Sequence, residues 1–169
     1  MLPISTILSH SLLYGAVLSL LLSAFIVVTL LVRPMIWIND APPELRAAAG
    51  PISAADRRFQ RVSGVAFMLL LVALPVMNLV GLRALAGGAL TFAEATLAVF
   101  VVVMTFNAVD LVLLDWLLVE RLLPGRIAFP GAPGLRFTRG DAHHFRGFLI
   151  GTGLSLAAAG VIGGVAALL

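Results

Sequence analysis

The sequence predicts an all-α membrane protein, a four-transmembrane-helix bundle, on three observations. First, 61% of its residues are hydrophobic and 11% charged, where soluble domains carry about 25% charged residues. Second, four apolar runs, at about 9–32, 62–82, 95–119 and 143–169, each approach or exceed the roughly 20 residues that cross a bilayer. Third, arginines cluster in the first and third of the three connections, as alternating sidedness requires. The mean hydropathy of +1.11 excludes an ordinary soluble domain, and the length suits a single transmembrane domain over 1–169.

The first span has no basic residue before it and is too long for the apolar region of a signal peptide, so it reads as a retained helix. Arg33 follows at once, which favours an outer N-terminus. Ser11, Gly15, Ser19 and Ser23 recur every fourth residue, a small-residue stripe that lets a neighbouring backbone approach closely. His10 and Tyr14 share one face at the outer end and read as an interfacial anchor.

Loop 33–61 carries Arg33, Arg46, Arg57, Arg58 and Arg61. Asp40 before Ala41-Pro42-Pro43-Glu44 reads as an N-cap, with a short helix ending at Gly50-Pro51. Ser53 with Asp56 predicts the start of a helix that continues into the second span. Within that span, Pro75 predicts a kink and Asn78 needs a partner on another helix. The next connection is short and Gly-rich, with only Arg83, and suits an external turn.

The third span carries Asn107, Asp110 and Asp115 among apolar residues. A carboxylate at membrane depth costs roughly 2.5–3.5 kcal/mol, so these groups should face protein or water. On a wheel of about 100° per residue, Asn107, Asp110 and Leu114 share a face with Asp115 at its edge. Such a stripe suits a water-filled notch or a hydrogen-bond network tying helices together. Trp116 suits the interfacial belt.

Loop 120–142 holds three Pro-Gly turn signals, Pro124-Gly125, Pro130-Gly131 and Pro133-Gly134. Its apolar stretches predict either a small hairpin or a loop lying on the mouth of the bundle. Asp141 reads as the N-cap of the fourth span. That span has one small face at Gly147, Gly151, Ser155 and Ala159, and another at Gly153, Ala157, Gly160 and Gly164. Two such faces predict a helix wedged between two neighbours.

Charge and parity together give an N-out, C-out chain in a cell inner membrane, with both arginine-rich loops cytoplasmic. The sequence pI near 11.0 therefore reports topology rather than nucleic-acid binding. All eleven basic residues are Arg, as expected of a GC-rich genome. The lack of cysteine excludes disulfides, a thiolate nucleophile and Cys-based zinc sites.

The end of span three meets the start of span four, which brings Asp110, Asp115, Glu120, Asp141, His143 and His144 to one level. Carboxylate and imidazole together can shuttle protons, bind a cation or activate water. Adjacent histidines project about 100° apart on a helix, and the chain has no HExxH pair, so no metal site is expected. No glycine-rich phosphate loop or GxSxG elbow is present, and no cofactor is indicated.

Asn107, Asp110, Leu114-Asp115-Trp116, Pro130-Gly131 with Gly134, Asp141 and His144-Phe145-Arg146-Gly147 form a recurring kind of pattern. Through it the chain resembles a group of small four-span bacterial membrane proteins of no known activity. It departs from their PGTxG-like turn, having Ala132-Pro133 where a threonine follows the first glycine. The resemblance implies that Asn107, Asp110, Asp115, Trp116 and His144 belong to one site.

The expected ligand-binding set is Asn107, Asp110, Asp115, Trp116, Asp141, His143 and His144. Its leading reading is non-enzymatic: helix packing, docking of a membrane-protein partner or second copy, or binding of a small ligand or lipid headgroup. The alternatives are a membrane enzyme on a lipid-like substrate, with Asp110 or Asp115 as base and His144 as proton partner, and a proton-coupled transporter component.

Overall fold

The computed structural model describes residues 1–168; Leu169, the end of the expected fourth span, lies outside the described residues. Four helices are long and apolar enough to cross a membrane: α1 (Ile4–Val32), α3 (Ala54–Ala86), the continuous helix Phe92–Leu122, and α5 (Asp141–Leu168). Their most apolar stretches have mean hydropathy between 1.9 and 2.7. At about 1.5 Å per residue even the shortest exceeds the roughly 30 Å hydrocarbon core. The chain is a multi-pass membrane protein, with no strand among the described residues.

Local chemistry sets the helix ends. Ser53 Oγ accepts from the Asp56 amide at 3.0 Å and opens α3, as its spacing predicts. That helix continues through buried Pro75 to Gly87, whose φ of +66° closes it. Thr91 and Glu94 form a reciprocal capping box, at 3.2 and 2.8 Å, ahead of α4 (Phe92–Val109). From Asp110 to Leu122 the same helix widens into a π-helix.

The long helix containing α4 is the spine. Ala95, Ala98, Val99 and Val102 are fully enclosed. The stripe on α1 does what its spacing predicts: Ser11, Gly15 and Ser19 are buried, and a Cβ on Gly15 would stand 2.7 Å from the Thr105 Cβ. Asn78 finds its cross-helix partners, donating to Ser11 Oγ at 3.0 Å and approaching the Ala98 carbonyl at 3.5 Å. His10, read from its spacing as an interfacial anchor with Tyr14, also reaches into the bundle. Its Nδ1 lies 2.7 Å from Asn78 Oδ1, in space left by Gly81, where a Cβ would meet the ring at 2.7 Å.

The wedged fourth helix is overturned. α5 packs on α4 and its π continuation through Gly151, Ser155, Ala159 and Gly163. Only 17% of its apolar window is buried, against 33% for α1. Gly153 and Ala157 are exposed, and a Cβ on Gly153 or Gly160 would meet nothing within 4 Å. The physical reason is that α4 alone supplies a matching surface: a Cβ on Gly163 would reach the Thr96 backbone nitrogen at 2.7 Å, leaving no slack there for a larger residue.

The two arginine-rich connections cover the same end of the bundle. After α1 come a 3₁₀ helix (Pro34–Asp40) and the short α2 (Pro43–Ala49). Ala41 and Leu45 pack with Ile127, Phe129, Ala132 and Phe137 of the second loop in one buried cluster. Of the two arrangements open for that loop, the structure takes the one lying on the mouth. Two expected caps are corrected. Asp40 ends the 3₁₀ helix instead of capping α2, because the residue before a proline is driven extended and Pro42 takes the cap position. Asp141 is the first residue of α5, and the Gly140 carbonyl accepts the amides of His143 and His144.

Candidate functional site

A π-helix closes its turns with bonds between residues five apart, as from the Leu123 amide to the Leu118 carbonyl at 2.7 Å. Residues five apart then stack nearly above one another. In an α-helix they would be about 140° apart. The wheel at α-helical pitch is therefore corrected beyond Val109. Asp110, Asp115 and Glu120, each five residues from the next, lie along one face.

His144 enters that face from α5. Its Nδ1 is 3.0 Å from Asp115 Oδ2 and its Nε2 is 2.8 Å from Glu120 Oε1. A neutral imidazole has one N–H, so donating to both carboxylates takes the doubly protonated, charged ring. Glu120 Oε1 also accepts the amides of Arg139 and Gly140, at 2.7 and 2.8 Å. The carboxylate thus gathers the free donors at the entry to α5 while holding the imidazolium, with its own side chain only 11% exposed. Deeper in, Asn107 donates to the Phe148 carbonyl at 3.1 Å and Thr152 Oγ1 at 3.2 Å, fastening α4 to α5.

Asn107, Asp115 and His144 border a cavity of about 440 Å³. α1 and α3 contribute Ile26, Leu30 and Phe67; the α4 spine supplies the floor, and α5 the opposite wall through Phe148, Gly151 and Leu154. The polar end is formed by Asp40, Asp110, Asp115, Arg139, His143 and His144. The Asp110 carboxyl makes no hydrogen bond among the described residues and is not paired with the Asn107 side chain, whose amide goes to Phe148 and Thr152. Arg139 and Asp40 likewise form no ion pair within 4.0 Å among the described residues. Desolvation at the rim raises the Asp40 carboxyl above its ordinary value; Arg139 and His143 oppose the shift and Asp115 adds to it.

The structure brings Asn107, Asp110, Asp115, His143 and His144 together around this space. Trp116 and Asp141 are not in its lining. The Trp116 indole approaches the Asp141 carbonyl at 3.4 Å, and Asp141 pairs with Arg121 at 2.9 Å on the exposed surface. Asp40 and Arg139 were missed as wall residues, one being read as a cap and the other as a topology charge. The five-residue period of the acids was visible in sequence, but only a π-helical pitch gives it meaning. Among the described residues no three His, Asp or Glu side chains converge as a metal-binding group.

Chemically, the His144 ring has both nitrogens engaged, so it neither accepts a proton nor ligates until one contact opens. Among the described residues, the lining groups with no side-chain hydrogen bond or ion pair are Asp110, Asp40, Arg139 and His143. They offer a cavity an electrostatic end, and the apolar walls offer it a hydrocarbon end. No family model, curated protein or solved structure matches the chain.

Proposed function

We propose that this is a non-enzymatic, multi-pass protein of the cell inner membrane that binds a membrane amphiphile, with the headgroup at the Asp/His/Arg end of the cavity and an acyl chain along its apolar walls. One observation carries the reading: a single cavity of about 440 Å³ joins charged groups that have no ion-pair partner among the described residues to an apolar wall, the composition of a small-molecule site with a few convergent polar groups. Because α5 packs on the spine and not as a face on α1 or α3, one flank of the cavity is left for lipid entry. Ile150 and Leu154, 56% and 66% exposed, stand at that flank.

The positive-inside rule supports cytoplasmic loops at 33–61 and 120–142 and an N-out, C-out chain, since nine of the eleven arginines lie in those loops and Arg83 lies at the opposite end. The headgroup end then sits at the inner leaflet. The His144 bridge holds the mouth together and the Asn107 contacts hold the floor.

Native mass spectrometry of the gently solubilised protein tests the reading. The wild type is expected to retain a lipid-sized adduct. Gly147 lines the cavity and a Cβ there would meet nothing within 4 Å, so Gly147→Leu starts its side chain in open space beside the cavity and should lose the adduct. A wild type that flies only as the bare chain overturns the proposal.

A further inference from the structure

Which headgroup fits depends on the charges that remain uncommitted, and the argument rests on the lipid-binding reading above. Asp115 and Glu120 already share the His144 ring. That leaves two carboxylates, Asp110 and Asp40, one guanidinium, Arg139, and the His143 imidazole lining the cavity without an ion-pair partner among the described residues. A headgroup that is purely anionic would gain one guanidinium and meet two uncommitted carboxylates. A headgroup with both signs of charge can satisfy groups of both signs.

The donor inventory narrows this further. Asp110 lies on the membrane-spanning spine and lines the cavity, and its carboxyl receives no hydrogen bond among the described residues. A carboxylate in that position needs N–H donors rather than charge alone, because an unsatisfied polar group away from water is costly. A primary ammonium brings three N–H groups; a quaternary ammonium brings none. Arg139 stands at the mouth, where its backbone is fixed by Glu120, and a guanidinium matches phosphate oxygens bidentately.

We propose that the cavity selects a phospholipid whose head carries a primary ammonium beside its phosphate, with the ammonium taken by Asp110 and the phosphate by Arg139. The two ends of the head then follow the order of the cavity: ammonium inward toward the spine, phosphate at the rim, acyl chain out along Leu154.

The test uses the full chain, delipidated in detergent and offered dioleoyl phosphatidylethanolamine, phosphatidylcholine or phosphatidylglycerol, with retention read by native mass spectrometry. The ethanolamine lipid should be retained about tenfold over the other two, the worth of one charge-assisted hydrogen bond. Asp110→Asn should erase that preference while lipid uptake persists, and Arg139→Gln should lower ethanolamine-lipid retention. Equal or better retention of the choline or glycerol lipid, still abolished by Gly147→Leu, overturns the headgroup inference and leaves the cavity reading standing. Uptake of every lipid unaffected by Gly147→Leu overturns both. Full displacement of bound lipid by soluble phosphoethanolamine at millimolar concentration would show that the head alone is the ligand, and overturns the lipid assignment.

Discussion

At the scale of single residues, His144 carries the most consequence. Its ring bridges the Asp115 and Glu120 carboxylates, and its side chain is 12% exposed. His144→Ala leaves two carboxylates facing each other without the cation between them, and frees one of the three donors on Glu120. Hydrogen bonds to charged groups contribute about 1.5–3 kcal/mol, so a drop of that order in unfolding free energy is expected, measured by chemical denaturation in mixed micelles. An unchanged stability would show that the bridge contributes nothing. Asp40 makes a prediction of opposite sign. Its carboxyl is raised above the ordinary value by desolvation, so the folded protein favours the protonated form. That contribution is present below the ordinary carboxyl value and is lost as pH rises through the raised one. Asp40→Asn should therefore melt higher than wild type at pH 7, with the difference shrinking toward zero near pH 4. A difference that grows on acidification contradicts this.

At the scale of elements, the π-helix and the one-sided packing of α5 decide the site. The π pitch aligns Asp110, Asp115 and Glu120, and the small face of α5 lets His144 reach two of them. The two small faces of α5 can be separated by substitution. At Gly163 a new Cβ meets the Thr96 backbone nitrogen at 2.7 Å, and backbone cannot step aside cheaply. Gly163→Ala should cost roughly 1–3 kcal/mol, the usual penalty of overpacking. At Gly153 a Cβ meets nothing, and Ala is the better helix former by about 1 kcal/mol, so Gly153→Ala should be neutral or stabilising. Thermal melts of the two variants in one detergent check the contrast; equal losses would mean that α5 buries both faces.

At the scale of the whole molecule, both arginine-rich connections lie at one end of the bundle and share a buried cluster. Topology can be tested cleanly because the chain has no native cysteine. Gly88→Cys should react with a membrane-impermeant maleimide on intact cells, while Leu135→Cys, exposed in the second loop, should react only after permeabilisation; the reverse pattern would invert the chain. The fold class was legible because it follows from summed quantities: span length, apolar content and arginine placement depend on no contact between distant residues. The Ser53 cap and the α1 stripe were legible for a related reason, since a regular helix converts spacing directly into a shared face. The candidate site was half legible. Asn107, Asp110, Asp115 and His144 stand out as polar groups in or beside apolar spans, whereas Asp40 and Arg139 look like ordinary loop charges until the loops fold over the mouth. By itself, the sequence determined a four-span helical membrane protein with polar groups toward one end, because burial in lipid is read from composition. Only the tertiary structure decided which of those groups are spent on one another and which face open space. A π pitch, one shared imidazolium and a fourth helix packed on a single neighbour are outcomes of competition among contacts, and no local run of residues encodes that competition.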